Sequence, residues 1–280
     1  MTPKTIQANG LRFAYLEQGT GPLVLLVHGF PDTAHTWDGV MPALAEAGYR
    51  AVAPFTRGYA PTEIPTTEAF DTDTLGQDVL GLIDALGGGP AVVVGHDWGA
   101  SAAYSAAALG PDRVRLLVTL AIPHPGGIRP TPALVWKLRH FFSLRRKNAH
   151  AKLAENDFAY LDELWRRWSP SWKAIPTSET DQVKAAFREP GSAAAACGYY
   201  RAQSLRSPES YKLKITVPAV CFAGEHDMIA PRLYEKSRGM FTSSYEVVQV
   251  PGGHFMHREH PVPFRTELVR VLREHDAKRV

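Results

Sequence analysis

Runs of consecutive apolar residues recur along the chain and alternate with longer segments whose apolar residues follow a helical spacing. The main runs are residues 21–28, 50–53, 91–94 and 116–120. Continuous apolar runs are typical of strands that are buried on both faces, as in a parallel sheet covered by helices. The pattern therefore predicts an α/β fold with a mostly parallel sheet.

Two further segments refine this prediction. Residues 74–86 carry apolar side chains at helical spacing, and the sequence Gly-Gly-Gly-Pro at residues 87–90 ends the predicted helix before the next strand. Residues 4–18 predict a hairpin that turns at Asn9-Gly10. We therefore expect the sheet to begin antiparallel and to become parallel.

The pattern changes between residues 128 and 207, where no strand-like run occurs and tryptophans, charges and helical patterns are frequent. Strand signals return at 215–223 and 245–250, and a final amphipathic helix is predicted over 262–278. We expect one core domain made of residues 1–127 and 208–280, interrupted by an all-helical cap domain of residues 128–207.

Composition excludes several classes of protein. The 280 residues are 45% hydrophobic, enough for a sizeable core, and the net charge of +3 does not suggest a nucleic-acid or membrane partner. The first residues lack the apolar stretch of a secretory signal, so a soluble, cytoplasmic protein is expected. Cys197 and Cys221 form neither a disulfide framework nor a metal-ligand spacing, and we expect small buried thiols.

The strand predicted at 91–94 leads into Gly95-His96-Asp97-Trp98-Gly99 and then into an alanine-rich helix over residues 100–109. A strand, a sharp turn with flanking glycines and a helix are the context of a nucleophile elbow. Asp97 occupies its centre, and a carboxylate can attack a saturated carbon to form an alkyl-enzyme ester. Taken alone, the turn is equally compatible with Asp97 capping the helix that follows.

The sequence His28-Gly29-Phe30-Pro31 follows the third predicted strand. In a fold with a nucleophile elbow this loop lies beside the nucleophile, so the backbone N–H groups of Phe30 and Trp98 are predicted to form an oxyanion hole. The tetrapeptide by itself is also typical of an ordinary strand-exit turn. The neighbouring elbow favours the oxyanion loop.

Acid and base candidates follow the last two strands, in Gly224-Glu225-His226-Asp227 and in Pro251-Gly252-Gly253-His254. With Asp97 they give the chain order nucleophile, acid, base. His254 is predicted to activate a water that hydrolyses the ester, and Asp227 to orient His254; Glu225 is the rival acid. The histidines lack an HExxH-type spacing, so neither a metal nor another cofactor is expected.

Together these motifs resemble the epoxide hydrolase branch of the α/β-hydrolase superfamily, to which haloalkane and haloacid dehalogenases are related. The similarity extends over nearly the whole chain. Its carriers are residues 28–31, 47–54, 57–59, 95–99, 198–201 and 252–255. The resemblance implies an α/β-hydrolase fold, with a mostly parallel eight-stranded sheet flanked by helices and an inserted helical cap.

In that family, cap tyrosines hydrogen-bond the epoxide oxygen and protonate it as the ring opens. Tyr200 matches one of them by its position before Arg201, with aromatic packing in the cap as the alternative role. Where the second tyrosine is expected, residues 138–142 read Leu-Arg-His-Phe-Phe. We hypothesise that His140 is the second donor; a surface or packing histidine is the alternative. Residues 55–57, Phe-Thr-Arg, also lack a common family Asp, which predicts an altered loop.

The leading hypothesis is therefore hydrolysis of an epoxide to a vicinal diol through an ester on Asp97. A haloalkane or haloacid dehalogenase with the same nucleophile is the alternative, although Phe30 stands where haloalkane dehalogenases often carry a halide-binding Asn. A non-catalytic ligand receptor is disfavoured because Asp97, Asp227 and His254 are all present. The expected partners are a small apolar epoxide and water, and a homodimer is left open. An apolar pocket for the epoxide is suggested by the cap residues Trp136, Phe141, Phe142, Trp165, Trp168 and Trp172.

Overall fold

The computed structural model describes residues 1–204 and 206–278. Its strands are β1 (Lys4–Ala8), β2 (Leu11–Gln18), β3 (Leu23–Val27), β4 (Arg50–Pro54), β5 (Ala91–His96), β6 (Val114–Leu120), β7 (Ala219–Gly224) and β8 (Tyr245–Val250). They form one eight-stranded sheet in the order β1-β2-β4-β3-β5-β6-β7-β8. The pairs β1–β2 and β2–β4 are antiparallel and the others are parallel, which confirms the predicted sheet.

The helices are α1 (Met41–Glu46), α2 (Thr72–Ala85), α3 (Trp98–Leu109), α4 (Pro132–Lys137), α5 (His140–Leu144), α6 (Ala149–Ala154), α7 (Ala159–Trp168), α8 (Ser178–Arg188), α9 (Ser192–Arg201), α10 (Arg232–Lys236), α11 (Met256–Glu259) and α12 (Pro261–Ala277). Short 3₁₀ turns occur at Ala34–Trp37, Pro125–Gly127, Ser210–Lys212 and Arg238–Met240. No helix in the described part of the chain is both long and apolar enough to cross a membrane.

Both faces of the central strands are buried, as their continuous apolar runs predict. In β3, Leu25 and Val27 belong to one apolar cluster and Val24 and Leu26 to the other, because successive side chains of a strand point to opposite faces. Side chains of α2 and α3 complete the first cluster, and those of α1 and α12 complete the second. The sheet is therefore the middle layer between two layers of helices.

Two of the differences between the predicted and the observed boundaries have a clear local cause. Helix α2 begins two residues early, at Thr72, because Asp71 Oδ1 accepts the N–H of Thr74 at 3.0 Å and caps the first turn. The strand predicted over 215–223 is wrong in its first half, since β7 begins at Ala219 and Ile215 forms only an isolated bridge. Pro218 lacks the backbone N–H that a continuous ladder requires.

The segment between β6 and β7 contains helices α4 to α9. Its described residues between 128 and 207 include no strand, in agreement with the all-helical pattern of the sequence. Tryptophans at helical spacing make part of its interior, because Trp165 and Trp168 of α7 are almost fully buried. This helical segment packs against loops that follow the carboxyl ends of the parallel strands, including those after β3 and β8.

Candidate active site

The four loops predicted to carry catalytic residues all leave the sheet at the carboxyl ends of its strands. They follow β3, β5, β7 and β8, which are all parallel, and the carboxyl ends of parallel strands lie on the same side of a sheet. In the register of the sheet, Val27 pairs with Gly95, and Gly224 pairs with Val250. The ends of these strands therefore lie level with each other and bring the loops together.

Asp97 has a strained backbone between β5 and α3. Its φ of 52° and ψ of −117° lie outside the regions that residues other than glycine usually adopt. The turn is tight, because a Cβ on Gly99 would lie 2.1 Å from the carbonyl oxygen of Val27. The Asp97 side chain makes no capping hydrogen bond to α3, a helix that the structure describes throughout. This geometry disfavours the helix-cap interpretation.

The loop after β3 donates a hydrogen bond to the Asp97 side chain. The backbone N–H of Phe30 lies 2.9 Å from Asp97 Oδ1. Gly29 leaves the necessary space, since a Cβ there would lie 2.5 Å from Asp97 Oδ1 and 2.6 Å from the backbone nitrogen of Trp98. Asp97 Oδ1 and the amides of Phe30 and Trp98 thus gather at the place where the sequence predicts an oxyanion hole.

His254 lies between two carboxylates. Its Nε2 is 3.5 Å from Asp97 Oδ2, and its Nδ1 is 3.2 Å from Asp227 Oδ1. Asp227 Oδ1 also accepts the backbone N–H of Ile229 at 3.2 Å. Asp227 is buried, whereas Glu225 is exposed. The geometry therefore pairs His254 with Asp227 and not with the rival acid.

Burial and charge oppose each other at these three side chains. Burial alone lowers the pKa of His254, but the carboxylates of Asp227 and Asp97 outweigh it and raise the pKa above the usual 6.5. Burial alone raises the pKa of Asp97, but His254 and the N–H of Phe30 hold it below the usual 3.8. Asp97 is therefore ionised at neutral pH, as a nucleophilic carboxylate must be.

Helix α7 contacts the loops on both sides of Asp97. The indole N–H of Trp165 donates to the carbonyl oxygen of Pro31 at 3.1 Å, and its ring stacks on Phe255 with a centroid distance of 3.8 Å. At the end of α7, the carbonyl of Trp168 accepts the backbone N–H of His254 at 3.0 Å. One helix thereby fixes the loop after β3 relative to the loop after β8.

Helix α9 places Tyr200 beside the predicted oxyanion loop. Tyr200 is buried, and its ring lies edge-to-face against those of Phe30 and Trp98, with both centroid distances at 5.2 Å. Burial raises the pKa of Tyr200 well above 10, and the nearby charge of Asp97 raises it further. Its phenol is therefore protonated at neutral pH.

His140, the first residue of α5, is buried in the same group of rings. Its ring centroid lies 5.9 Å from that of Tyr200 and 4.7 Å from that of Trp168. Burial lowers the pKa of His140 to about 3, although the charge of Asp97 opposes this effect. The imidazole is therefore neutral at neutral pH and carries one ring N–H. The alternative of a surface histidine is wrong.

A cavity of about 250 Å³ lies beside Asp97 and His140. Most of its wall is apolar. The lining residues are Thr72, Asp97, Trp98, Ser101, Ile122, Pro123, Pro125, Ile128, Leu134, Leu138, His140, Phe141, Gln203, Tyr211, Met228, Ile229 and Leu233. Tyr200 is not among these described lining residues, but it contacts Trp98 and Phe141, which are.

The cap aromatics that the sequence suggests as pocket residues separate into three groups. Phe141 lines the cavity. Trp165 and Trp168 are buried and Trp172 is partly buried, and none of these three tryptophans lines the cavity in the described part of the chain. Trp136 and Phe142 are exposed. Helical spacing alone does not distinguish these environments, because it reports one buried face and not what that face contacts.

Sequence reasoning missed the polar part of the cavity wall, formed by Thr72, Ser101 and Tyr211. Ser101, on α3, follows Asp97 by four residues and therefore lies about one helical turn from it. This spacing could have identified Ser101 from the sequence. Thr72 and Tyr211 come from distant segments, and no local pattern marks them. Among the described residues, no group of three His, Cys, Asp or Glu side chains is arranged to hold a metal ion.

Comparisons with known proteins identify the fold family and several relatives. A family model described as alpha/beta hydrolase fold matches residues 22–261. An AB hydrolase superfamily protein of Bacillus subtilis (strain 168) is 30% identical over 96% of both chains. An epoxide hydrolase of Caballeronia sordidicola is 48% identical, but the alignment spans only 42% of this chain and 36% of that protein. A solved structure of a putative epoxide hydrolase from Klebsiella pneumoniae subsp. pneumoniae superposes with a TM-score of 0.83, at 27% identity over 99% of this chain and 97% of that one.

Proposed function

This chain belongs to the alpha/beta hydrolase fold family, and from that membership we propose that it is an epoxide hydrolase. It opens an epoxide to a vicinal diol through a covalent ester on Asp97, which a water activated by His254 and Asp227 then hydrolyses. Relatives that carry the name epoxide hydrolase support this proposal. The arrangement of the side chains around Asp97 supports it independently.

In the first step, Asp97 Oδ2 attacks a ring carbon, the bond from that carbon to the ring oxygen breaks, and the ring oxygen takes a proton from the cap. Asp97 Oδ1 accepts the N–H of Phe30 and remains as the carbonyl oxygen of the ester. Tyr200 is the proposed proton donor, because burial keeps its phenol protonated. His140, whose imidazole burial keeps neutral, is proposed to donate a hydrogen bond to the same ring oxygen.

In the second step, His254 removes a proton from water, and the water oxygen attacks Cγ of Asp97. Negative charge collects on Oδ1, beside the N–H groups of Phe30 and Trp98, which stabilise it. The bond from Cγ to Oδ2 then breaks, and the diol leaves with Oδ2 and takes the proton from His254. The second proton of the water restores the donor in the cap, so the enzyme returns to its starting state.

The proximity of an ionised carboxylate to two neutral donors from the cap carries the proposal. Asp97 and His140 line the same cavity, and the Tyr200 ring lies 5.2 Å from the rings of Phe30 and Trp98, whose amides lie beside the Asp97 carboxylate. A halide is a stable anion and leaves carbon without a proton. An epoxide oxygen leaves as an alkoxide, which a positioned acid stabilises. The two donors therefore favour an epoxide substrate over a haloalkane.

The proposal includes the division of the chain. Residues 1–127 and 208–280 form the catalytic core, and residues 128–207 form a cap that closes over Asp97 and supplies the donors. The substrates are a small, mostly apolar epoxide and water, and the chemistry requires no cofactor. Because Cys197 and Cys221 are both free and buried, we place the enzyme in a reducing compartment, the cytoplasm.

The test is to incubate the protein with an aryl epoxide and, separately, with a haloalkane and a haloacid, and to assay both diol and halide. We expect diol from the epoxide and no halide from the other two. Asp97→Ala should abolish turnover, and His140→Ala should slow it by about 10²-fold because a hydrogen-bond donor to the developing negative charge on the ring oxygen is lost. Release of halide without diol would identify a dehalogenase. Unchanged epoxide turnover and binding in His140→Ala would exclude His140 as a donor.

A further inference from the structure

Three hydroxyl-bearing residues of the cavity wall have no role in the reaction described above. They are Thr72 at the start of α2, Ser101 on α3, and Tyr211 in the 3₁₀ turn Ser210–Lys212. We call these three side chains the hydroxyl cluster.

Asp73 holds the hydroxyl cluster in position. Its carboxylate accepts the backbone N–H of Glu209 at 2.9 Å and that of Ser210 at 3.2 Å. The hydroxyl of Ser105 on α3 donates to the same carboxylate at 3.3 Å. The 3₁₀ turn that carries Tyr211 is thereby tied to α2 and α3. A polar group fixed in this way binds a ligand without the entropic cost of ordering it.

The Tyr211 hydroxyl is available as a donor. Burial raises the pKa of Tyr211 to about 12, although the Ser101 and Thr72 hydroxyls act to lower it, so the phenol keeps its proton at neutral pH. A hydroxyl carries one hydrogen and two acceptor sites. Since Tyr211 lines the cavity, its phenol can donate this hydrogen to a ligand there.

The charges around the cavity restrict the ligand to a neutral group. No lysine or arginine is among the described lining residues. The negative charge that does face the cavity is that of Asp97, which would repel an anionic substituent. An anion in this place would also lose its hydration without a cation to replace it. Gln203, the other polar lining residue near Tyr211 in the chain, adds a neutral amide.

The hydroxyl cluster lies close to the nucleophile. The backbone N–H of Ser101 donates to the carbonyl oxygen of Asp97 at 3.2 Å, so Ser101 stands one helical turn beyond it. One turn rises about 5.4 Å, and a reacting carbon must approach the attacking oxygen to about 3–3.5 Å. A substituent that reaches the hydroxyl cluster must therefore carry its polar atom only a few bonds from the epoxide ring.

We propose that the substrates of this enzyme are neutral epoxides with an apolar body and an ether, hydroxyl or carbonyl oxygen close to the ring, which accepts a hydrogen bond from Tyr211. This proposal rests on the epoxide hydrolase function and deepens it. The apolar body packs against the remaining wall, which includes Ile128, Leu134 and Leu138. Glycidyl ethers have this combination of features.

The test compares kcat/KM for phenyl glycidyl ether with that for its carbon isostere, in which a methylene replaces the ether oxygen. We expect the wild-type protein to prefer the ether by roughly five- to tenfold, the effect of one hydrogen bond between neutral groups. Tyr211→Phe should remove most of this preference. Tyr15→Phe is the matched control, because it deletes a phenol oxygen on β2, away from the cavity, and should keep the wild-type ratio.

Equal kcat/KM values for the two compounds in the wild-type protein, or an unchanged ratio in Tyr211→Phe, would overturn the proposal. Faster hydrolysis of a glycidate, whose substituent is a carboxylate, would also overturn it. If neither epoxide is hydrolysed, the epoxide hydrolase function fails, and the dissociation constants of the two corresponding diols decide the substituent site separately. Tighter binding of the ether diol that Tyr211→Phe abolishes supports the site, and equal binding refutes it.

Discussion

The backbone of Asp97, the proposed nucleophile, differs from that of an ordinary helix cap. A capping aspartate has an extended backbone and accepts an N–H from the first turn of its helix. Asp97 instead has a positive φ, and its Oδ1 accepts the N–H of Phe30, from a different loop. Such strain costs about 1–3 kcal/mol and persists where the surrounding structure enforces it. Here the packing of Gly95 and Gly99 enforces it.

The charge of Asp97 also links the pKa of His254 to the progress of the proposed reaction. It helps to raise the pKa of His254 in the free enzyme, where burial opposes it. Formation of the ester removes this charge, so the pKa of His254 falls at the stage when a neutral base is required. Ring opening instead requires an ionised Asp97, whose pKa is already lowered. On acidification, hydrolysis of the ester should therefore slow at a higher pH than ring opening does.

Replacing Asp227 should affect the second step more than the first. Asp227→Asn keeps the shape of the side chain but removes the charge and the acceptor geometry that hold His254 at 3.2 Å. We expect hydrolysis of the ester to slow by about 10³–10⁴-fold, as when the acid of such a triad is neutralised. The ester should then accumulate, with a mass increase on intact protein after rapid quenching.

Glu225→Gln is the matched control for Asp227→Asn, because Glu225 is the neighbouring acid but is exposed. It should retain the wild-type rate and accumulate no ester. In Asp227→Asn the pKa of His254 loses the contribution that raises it, so the residual ester hydrolysis should persist to lower pH than in the wild-type protein. An accumulating ester in Glu225→Gln but not in Asp227→Asn would assign the acid role to Glu225.

Two helices of the cap segment connect directly to the catalytic loops. The indole of Trp165 on α7 donates to the carbonyl of Pro31, next to Phe30. On α9, the Tyr199 hydroxyl donates to the carbonyl of Arg57 at 2.7 Å. Tyr200 follows Tyr199, so the contact that anchors α9 also fixes the proposed donor. The position of the cap segment should therefore affect the geometry of both the predicted oxyanion loop and the proposed donor Tyr200.

Trp165→Phe tests this connection. The phenyl ring can still stack on Phe255, but the buried carbonyl of Pro31 loses its donor. We expect the free energy of unfolding, measured by urea denaturation, to fall by about 1–3 kcal/mol, with a loss of kcat as the Phe30 loop relaxes. Trp172→Phe is the control, because Trp172 is only partly buried and should change both quantities less. Equal effects of the two substitutions would contradict the role of Trp165.

At the scale of the whole molecule, the sequence predicts the sheet because the strands are buried on both faces and leave continuous apolar runs. It predicts the acid and the base because each follows a strand that ends at the same edge. The residue pattern places the start of β7 too early, because strand-like residues extend over 215–217 although Pro218 interrupts the hydrogen bonding of the strand. Contacts such as that between Trp165 and Pro31 depend on how the cap packs on the core, which no local pattern encodes.

The two proposed donors are only partly predictable from the sequence. Tyr200 matches a family motif, whereas His140 is suggested only because no tyrosine occurs where the second one is expected. The fold, and not the local sequence, determines that both side chains are buried and that His140 lines the same cavity as Asp97. The hydroxyl cluster joins segments that are far apart in the chain, so the sequence alone gives no sign of it.

The covalent ester on Asp97 is the central claim, and one turnover in ¹⁸O-labelled water tests it most directly. The water oxygen attacks Cγ, and the diol leaves with the original Oδ2. Mass spectrometry of the peptide that contains Asp97 should therefore find ¹⁸O in its carboxylate, while the diol from that first turnover is unlabelled. Labelled diol together with an unlabelled Asp97 would mean that water attacks the epoxide directly, and would contradict the account.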